Sequence, residues 1–172
     1  MSNSHKNKPS QLIIFLAVFM LIGNVSGIEK KYISNLTASD QRYMDTQRKA
    51  IDDLARRHLG RQLQDNTDNN LSILQALLDQ KWVRPEQSQI LQSMGVVLGD
   101  RLATDLNMQW VILIDGYGRS RALRMGLSEN ILFPITMISR RVEVGAKVSI
   151  RAIYKKSFNI MGPFIQKGPF QY

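Results

Sequence analysis

The stretch WVILIDGYGRSRAL, Trp110 to Leu123, places an acid, a phenol and two arginines close together: Asp115, Tyr117, Arg119 and Arg121. A carboxylate and a phenol beside an arginine are the parts of a hydrolase-type site, with the guanidinium holding an anionic oxygen. The same residues also read as a turn. Asp-Gly between two apolar runs is a strong hairpin signal, because glycine accepts positive φ and aspartate bonds its own turn amides. A calcium loop needs several oxygen donors at alternate positions, and this one offers a single carboxylate before a cation. The turn reading is preferred: Asp115, Gly116 and Gly118 turn the chain, and Gly118 permits a bulged loop. Tyr117 then stands at the tip beside Arg119, open for binding.

Little else in the sequence has the form of a catalytic group. Beyond residue 27 there is one histidine, His58, on an apolar helical stripe, where a packed imidazole is expected. There are no cysteines, so thiol nucleophiles and the common structural zinc sites are excluded, and no His-x-x-x-His spacing offers a metal. A Gly-x-Ser-x-Gly elbow and a phosphate-cradling glycine loop are both absent. Asp52 and Asp53 point in different directions on a helix. No cofactor and no metal is expected.

The N-terminus gives an address. Lys6 and Lys8 precede an apolar run from Leu12 to Ile22, followed by small and polar residues to Gly27. These are the parts of a secretory signal peptide, with cleavage expected after Gly27. The run is too short for a membrane span, which takes about 20 residues; an uncleaved anchor or a buried core helix are the alternatives. Export places the protein in the periplasm or outside the cell. With no disulfides available there, stability must come from packing.

From Ile28 to about Asp105 the pattern is helical. Thr37-Ala-Ser-Asp40 is a capping box, in which the threonine hydroxyl and the acid satisfy free amides. Met44, Ile51, Leu54, His58 and Leu59 follow in one stripe, and Gly60 is a stop. Asp68 caps a second helix bearing Leu71, Leu74, Leu77, Leu78 and Trp82. Pro85 opens a third, with Ile90, Leu91, Met94, Val97, Leu98, Leu102 and Leu106 facing a core. Gly95 and Gly99 within it allow close packing against a neighbour. From Met108 strands are expected: MQWVILI covered on both sides, RSRALRM returning after the turn, ILFPITMISRRVEV with Pro134 at an edge or bulge, and KVSIRAIYKK alternating between faces. The expected architecture is α+β: about three N-terminal helices packed on a C-terminal antiparallel β-meander. It forms a single domain over 28–158, with a helical half (28–106) and a strand half (108–158). A Gly-Pro-Phe tail (159–172) follows, which lies along the domain or docks on another chain.

The charge is distributed unevenly. Residues 28–114 hold eleven basic and eleven acidic side chains, whereas residues 115–172 hold ten basic and three acidic ones. Period-two geometry puts Arg119 and Arg121 on one strand face and Lys147, Arg151 and Lys155 on another, with Arg124, Arg140, Arg141 and Lys156 nearby. If the faces coincide, the sheet presents a basic surface that attracts anions; otherwise the charge is a solvating face. Export and the lack of any reader motif disfavour nucleic acid. An anionic envelope polymer, a lipid headgroup or an acidic protein fits the address.

The segment from about Leu91 to Tyr154 resembles a bacterial family, domain of unknown function 3806. GVVLGDRL, MQWVILIDGYGRSRAL and ILFPITMISRRVE carry the resemblance. It implies a bacterial source and a helix-then-sheet domain, with no activity or catalytic residue to carry over. The expected function is that of an exported, non-catalytic binding domain using the basic sheet face. The alternative is an envelope hydrolase built on Asp115, Tyr117 and an arginine.

Overall fold

A computed structural model describes residues 31–165. The expected signal peptide and the second Gly-Pro-Phe, at 168–170, lie outside the described residues. The elements run β1 (Tyr32–Asn35), α1 (Ala38–Leu59), α2 (Thr67–Asp79), α3 (Ser88–Asp105), β2 (Gln109–Asp115), β3 (Gly118–Arg124), β4 (Ile131–Leu132), α4 (Ile135–Val142) and α5 (Ile150–Met161). The four strands form one antiparallel sheet in the order β1-β2-β3-β4. Helix and sheet are mixed as expected, but three helices precede the main hairpin and two follow it.

The helical half follows its sequence signals with local changes. Thr37 caps α1 through the full capping box, and Gly60 ends it in the left-handed region at φ 62°. Asn66, not Asp68, caps α2 by accepting the Asn69 amide, since the side chain one position before the helix reaches the free amides first. Helix α3 begins at Ser88, so Pro85 lies in the preceding turn. Tyr32–Asn35 pairs with β2 in place of the expected helix; four residues are too few for alternation to be seen in sequence.

The two expected later strands are corrected. After the two residues of β4, Pro134 adopts φ −63° and ψ −32°, which a helix start requires. Ile135, Ile138 and Val142 then recur at helical spacing, with Ile138 and Val142 buried. KVSIRAIYKK alternates only up to Tyr154. Ile150, Ile153, Ser157 and Met161 form a longer helical stripe that is buried, and Ser149 caps it by accepting the Ala152 amide. A hydrophobic stripe that can bury four side chains along one face outweighs a short alternation. The first Gly-Pro-Phe, Gly162–Phe164, is a 3-10 turn continuing from α5.

Helix α3 is central, with Leu91, Met94, Leu98 and Leu102 inaccessible to solvent. Its two glycines allow close approach. A Cβ on Gly95 would lie 2.3 Å from the Ile135 carbonyl oxygen, and one on Gly99 would lie 2.4 Å from the Trp110 ring. Val111, Ile112 and Leu113 are all buried, so the middle of β2 is shielded on both faces, as expected. Gly95→Ala must push the backbone of α4 away, since a carbonyl cannot rotate aside as a side chain does. We expect it to lower stability by about 1–3 kcal/mol in urea unfolding; an unchanged midpoint would contradict this packing.

Candidate functional site

The hairpin tip is built as a turn. Asp115 pairs with Gly118 across the ladder, leaving Gly116 and Tyr117 as the loop. The Asp115 carboxylate accepts the Tyr117 amide at 2.9 Å. The positive φ falls on Gly118, at 114°, and not on Gly116. Tyr117 is 95% exposed, and its phenol makes no hydrogen bond to an acid or an arginine. Asp115, Tyr117 and an arginine therefore do not assemble into one constellation.

Arg119 and Arg121 do share a face of β3, and that face meets the start of α1. Asp40, only 2% exposed, receives both of them. Arg119 Nη2 donates to the two carboxylate oxygens at 2.8 and 2.7 Å, and Arg121 Nη2 lies 2.8 Å from Oδ1. Thr37 adds its backbone amide at 3.1 Å and its hydroxyl at 2.7 Å to Oδ2. Arg121 also lies over the Tyr43 ring, one turn along α1, at 4.1 Å. Burial by itself pushes the Asp40 carboxyl up, but hydrogen bonds from Arg119 and Thr37 outweigh it and hold the group well below the usual carboxylate range. The capping box was visible in the sequence. That its acid has capacity for two arginines 79 and 81 positions further on was not.

The remaining candidates divide. Arg124 turns back on its own loop, bonding the Ser128 carbonyl at 2.7 Å and the Leu127 carbonyl. Arg141 donates to the Met137 carbonyl within α4. Arg151 pairs with Asp68 at 2.6 Å, with both side chains well exposed. Among the described residues no ion pair engages Arg140, Lys147, Lys155 or Lys156, and all four are exposed. Lys147 lies in the α4–α5 loop, while Arg151, Lys155 and Lys156 lie on α5. The expected basic sheet face is thus corrected: its second strand is a helix, and the cations of its first are drawn inward to Asp40. The solvent-facing charge is on α4, α5 and the loop between them.

Two open clefts accompany these elements. One, of about 470 Å³, lies among α1, the α1–α2 loop and α3, and contains Asp52, Asp65 and Asp100. Each is neutralised: Asp52 by Arg56, Asp65 by Arg101, and Asp100 by a two-pronged contact with Arg48 at 2.8 Å plus the Trp110 indole at 3.0 Å. The other, of about 690 Å³, lies between α2 and the start of α5. Gln75 crosses it, accepting from the Ile150 amide at 2.8 Å and donating to the Val148 carbonyl at 3.2 Å. Asp105 ties α2 to α5 by accepting the hydroxyls of Thr67 and Tyr154, each at 2.7 Å. Burial, and then the Asp105 carboxylate, push the Tyr154 phenol up, so it stays protonated as a donor. His58 stacks on Trp82 with ring centroids 4.0 Å apart, an aromatic contact and not a ligand set. No group of three or more His, Cys, Asp or Glu side chains suited to a metal occurs among the described residues.

Residues 70–154 match the model of the family described as Domain of unknown function (DUF3806). Over these residues the chain is similar to that family. The match begins in α2 and ends in α5, wider than the resemblance read from about Leu91, and it includes the hairpin, α4 and, of the two hydroxyls that Asp105 accepts, that of Tyr154. A solved structure from Bacteroides thetaiotaomicron superposes on 76% of this chain with a TM-score of 0.68 and 16% identity. The chain covers 48% of that structure, about half its length. At that identity the likeness is one of fold. The curated proteins give no match. No described helix is long and apolar enough to cross a membrane.

The Asp40 cluster makes a pH prediction. A carboxyl whose folded value is depressed stabilises above its unfolded value, about 3.9, and loses that contribution as pH falls below it. Asp40→Asn should lower stability at neutral pH by about 1–3 kcal/mol, since Arg119 is partly screened by solvent. It should also lose less stability than the parent between about pH 5 and pH 2.5 in denaturant titrations. Equal acid sensitivity in the two would rule out this role for the carboxylate.

Proposed function

We propose that the protein is an exported, non-catalytic binding domain that meets an anionic cell-envelope component through the basic surface of α4, α5 and their connecting loop. One observation carries the reading. Of the candidate cations, those on β3 are engaged within the fold, whereas Arg140, Lys147, Lys155 and Lys156 face solvent without a carboxylate. From Ile131 to Ile165 there are six basic side chains and a single acid, Glu143. Such a field raises the local concentration of anionic partners and speeds encounter. The hydrolase reading has less support, since Asp115 serves its turn and the cleft carboxylates are each held by an arginine.

Export rests on the Lys6, Lys8 and Leu12–Ile22 pattern. Expressing the complete gene in a bacterium and sequencing the N-terminus of the accumulated protein should give Ile28 as its first residue, in an envelope or exterior fraction. Intact Met1 in the cytosolic fraction would refute export. For binding, the processed protein should co-sediment with cell-wall sacculi or anionic vesicles at low salt and be released at high salt, where charges are screened. Lys155→Glu with Lys156→Glu should reduce that binding at least tenfold with the fold intact. Salt-independent binding, or no binding to any anionic material, would overturn the reading.

A further inference from the structure

We propose that the anionic component is the phospholipid surface of a bilayer, with Lys155 and Lys156 meeting lipid phosphates and Ile160 and Phe164 entering the interface. The inference rests on the reading above and narrows it to one partner. Helix α5 buries Ile150, Ile153, Ser157 and Met161 against the body of the protein. On its other side Lys156 and Ile160 stand one turn apart, and Phe164 follows four residues later in the 3-10 turn. Ile160 is 52% exposed and Phe164 is 50% exposed. A purely ionic polymer would neutralise the lysines but leave two large apolar groups in water. A bilayer interface accommodates both, since phosphates lie above the acyl boundary and an amphipathic helix settles about 5–10 Å into that zone.

Shape points the same way. Neither open cleft is lined by Lys155, Lys156, Ile160 or Phe164. The patch is the outer side of a helix and its continuation, suited to a flat surface. Lysine, with its flexible stem, keeps its ammonium at the phosphate level while the stem lies against apolar material. No described helix could instead anchor the protein by crossing the bilayer.

The test compares partition of the protein, as processed by the expressing bacterium, into phosphatidylglycerol/phosphatidylcholine vesicles and into pure phosphatidylcholine vesicles. Retention on a phosphocellulose resin is measured in parallel. We expect salt-sensitive binding to the anionic vesicles only. Ile160→Ser with Phe164→Ser should weaken it at least fivefold and leave resin retention unchanged. Lys155→Gln with Lys156→Gln should weaken both. Phe164→Trp should give a blue-shifted emission on adding anionic vesicles, quenched by brominated acyl chains. All four side chains are exposed, so thermal midpoints should stay close to the parent's. Equal vesicle binding by the serine variant, or no shift of the tryptophan, overturns the lipid inference. If resin retention still depends on the lysines, the broader reading survives that failure; if retention is absent or independent of them, both fall.

Discussion

A carboxylate withdrawn from water must find full compensation within the protein, and Asp40 sets much of this structure by that requirement. Its own helix supplies two donors through Thr37, which leaves room on both oxygens for more charge. Arg119 and Arg121 fill it. Because β3 pairs with β2, and β2 with β1, the start of α1 is closed into a ring: β1 leads into the cap, the cap holds the acid, and the acid holds the far strand of the hairpin. Buried ion pairs of this kind give geometric definition more than net stability, since desolvation offsets much of the attraction.

A second constraint is steric. Gly95 and Gly99 let Ile135 and the Trp110 ring approach the α3 backbone more closely than any side chain would permit. Trp110 is then near enough to α3 for its indole to reach Asp100, which also takes Arg48 from α1. Three elements thus converge on one carboxylate. With α4 seated on the glycines, and α5 held by Gln75 and Asp105, the C-terminal helices are fixed with their cations outward. The two arginine-rich regions, similar in composition, end in opposite electrostatic situations: one neutralised inside, the other facing solvent.

What could be read from residues alone was local. The capping box at Thr37–Asp40, the stop at Gly60, the core stripe of α3, the hairpin at Asp115 and the close-packing role of the two glycines all depend on neighbours a few positions away. The strand reading fails in α5 because Val148, Ile150, Ala152 and Tyr154 alternate over a short window, and in α4 because Pro134 within an apolar run reads equally as a strand edge or a helix start. The two helical stripes, Ile135–Ile138–Val142 and Ile150–Ile153–Ser157–Met161, need a longer window to outweigh those signals. The expected grouping of the cations on sheet faces does not hold, since facing follows from a strand period that α4 and α5 do not have.

The sequence by itself determined the helix-rich, sheet-containing class, the position of the main turn, the excess of positive charge after residue 115 and the lack of thiol chemistry. These are properties of composition and of short-range sterics, which hold in any fold. Only the tertiary structure decided which arginines are spent on Asp40 and which lysines meet solvent. That choice depends on pairing partners some 80 residues apart, and long-range partners are set by the packing of whole elements, which no local pattern encodes.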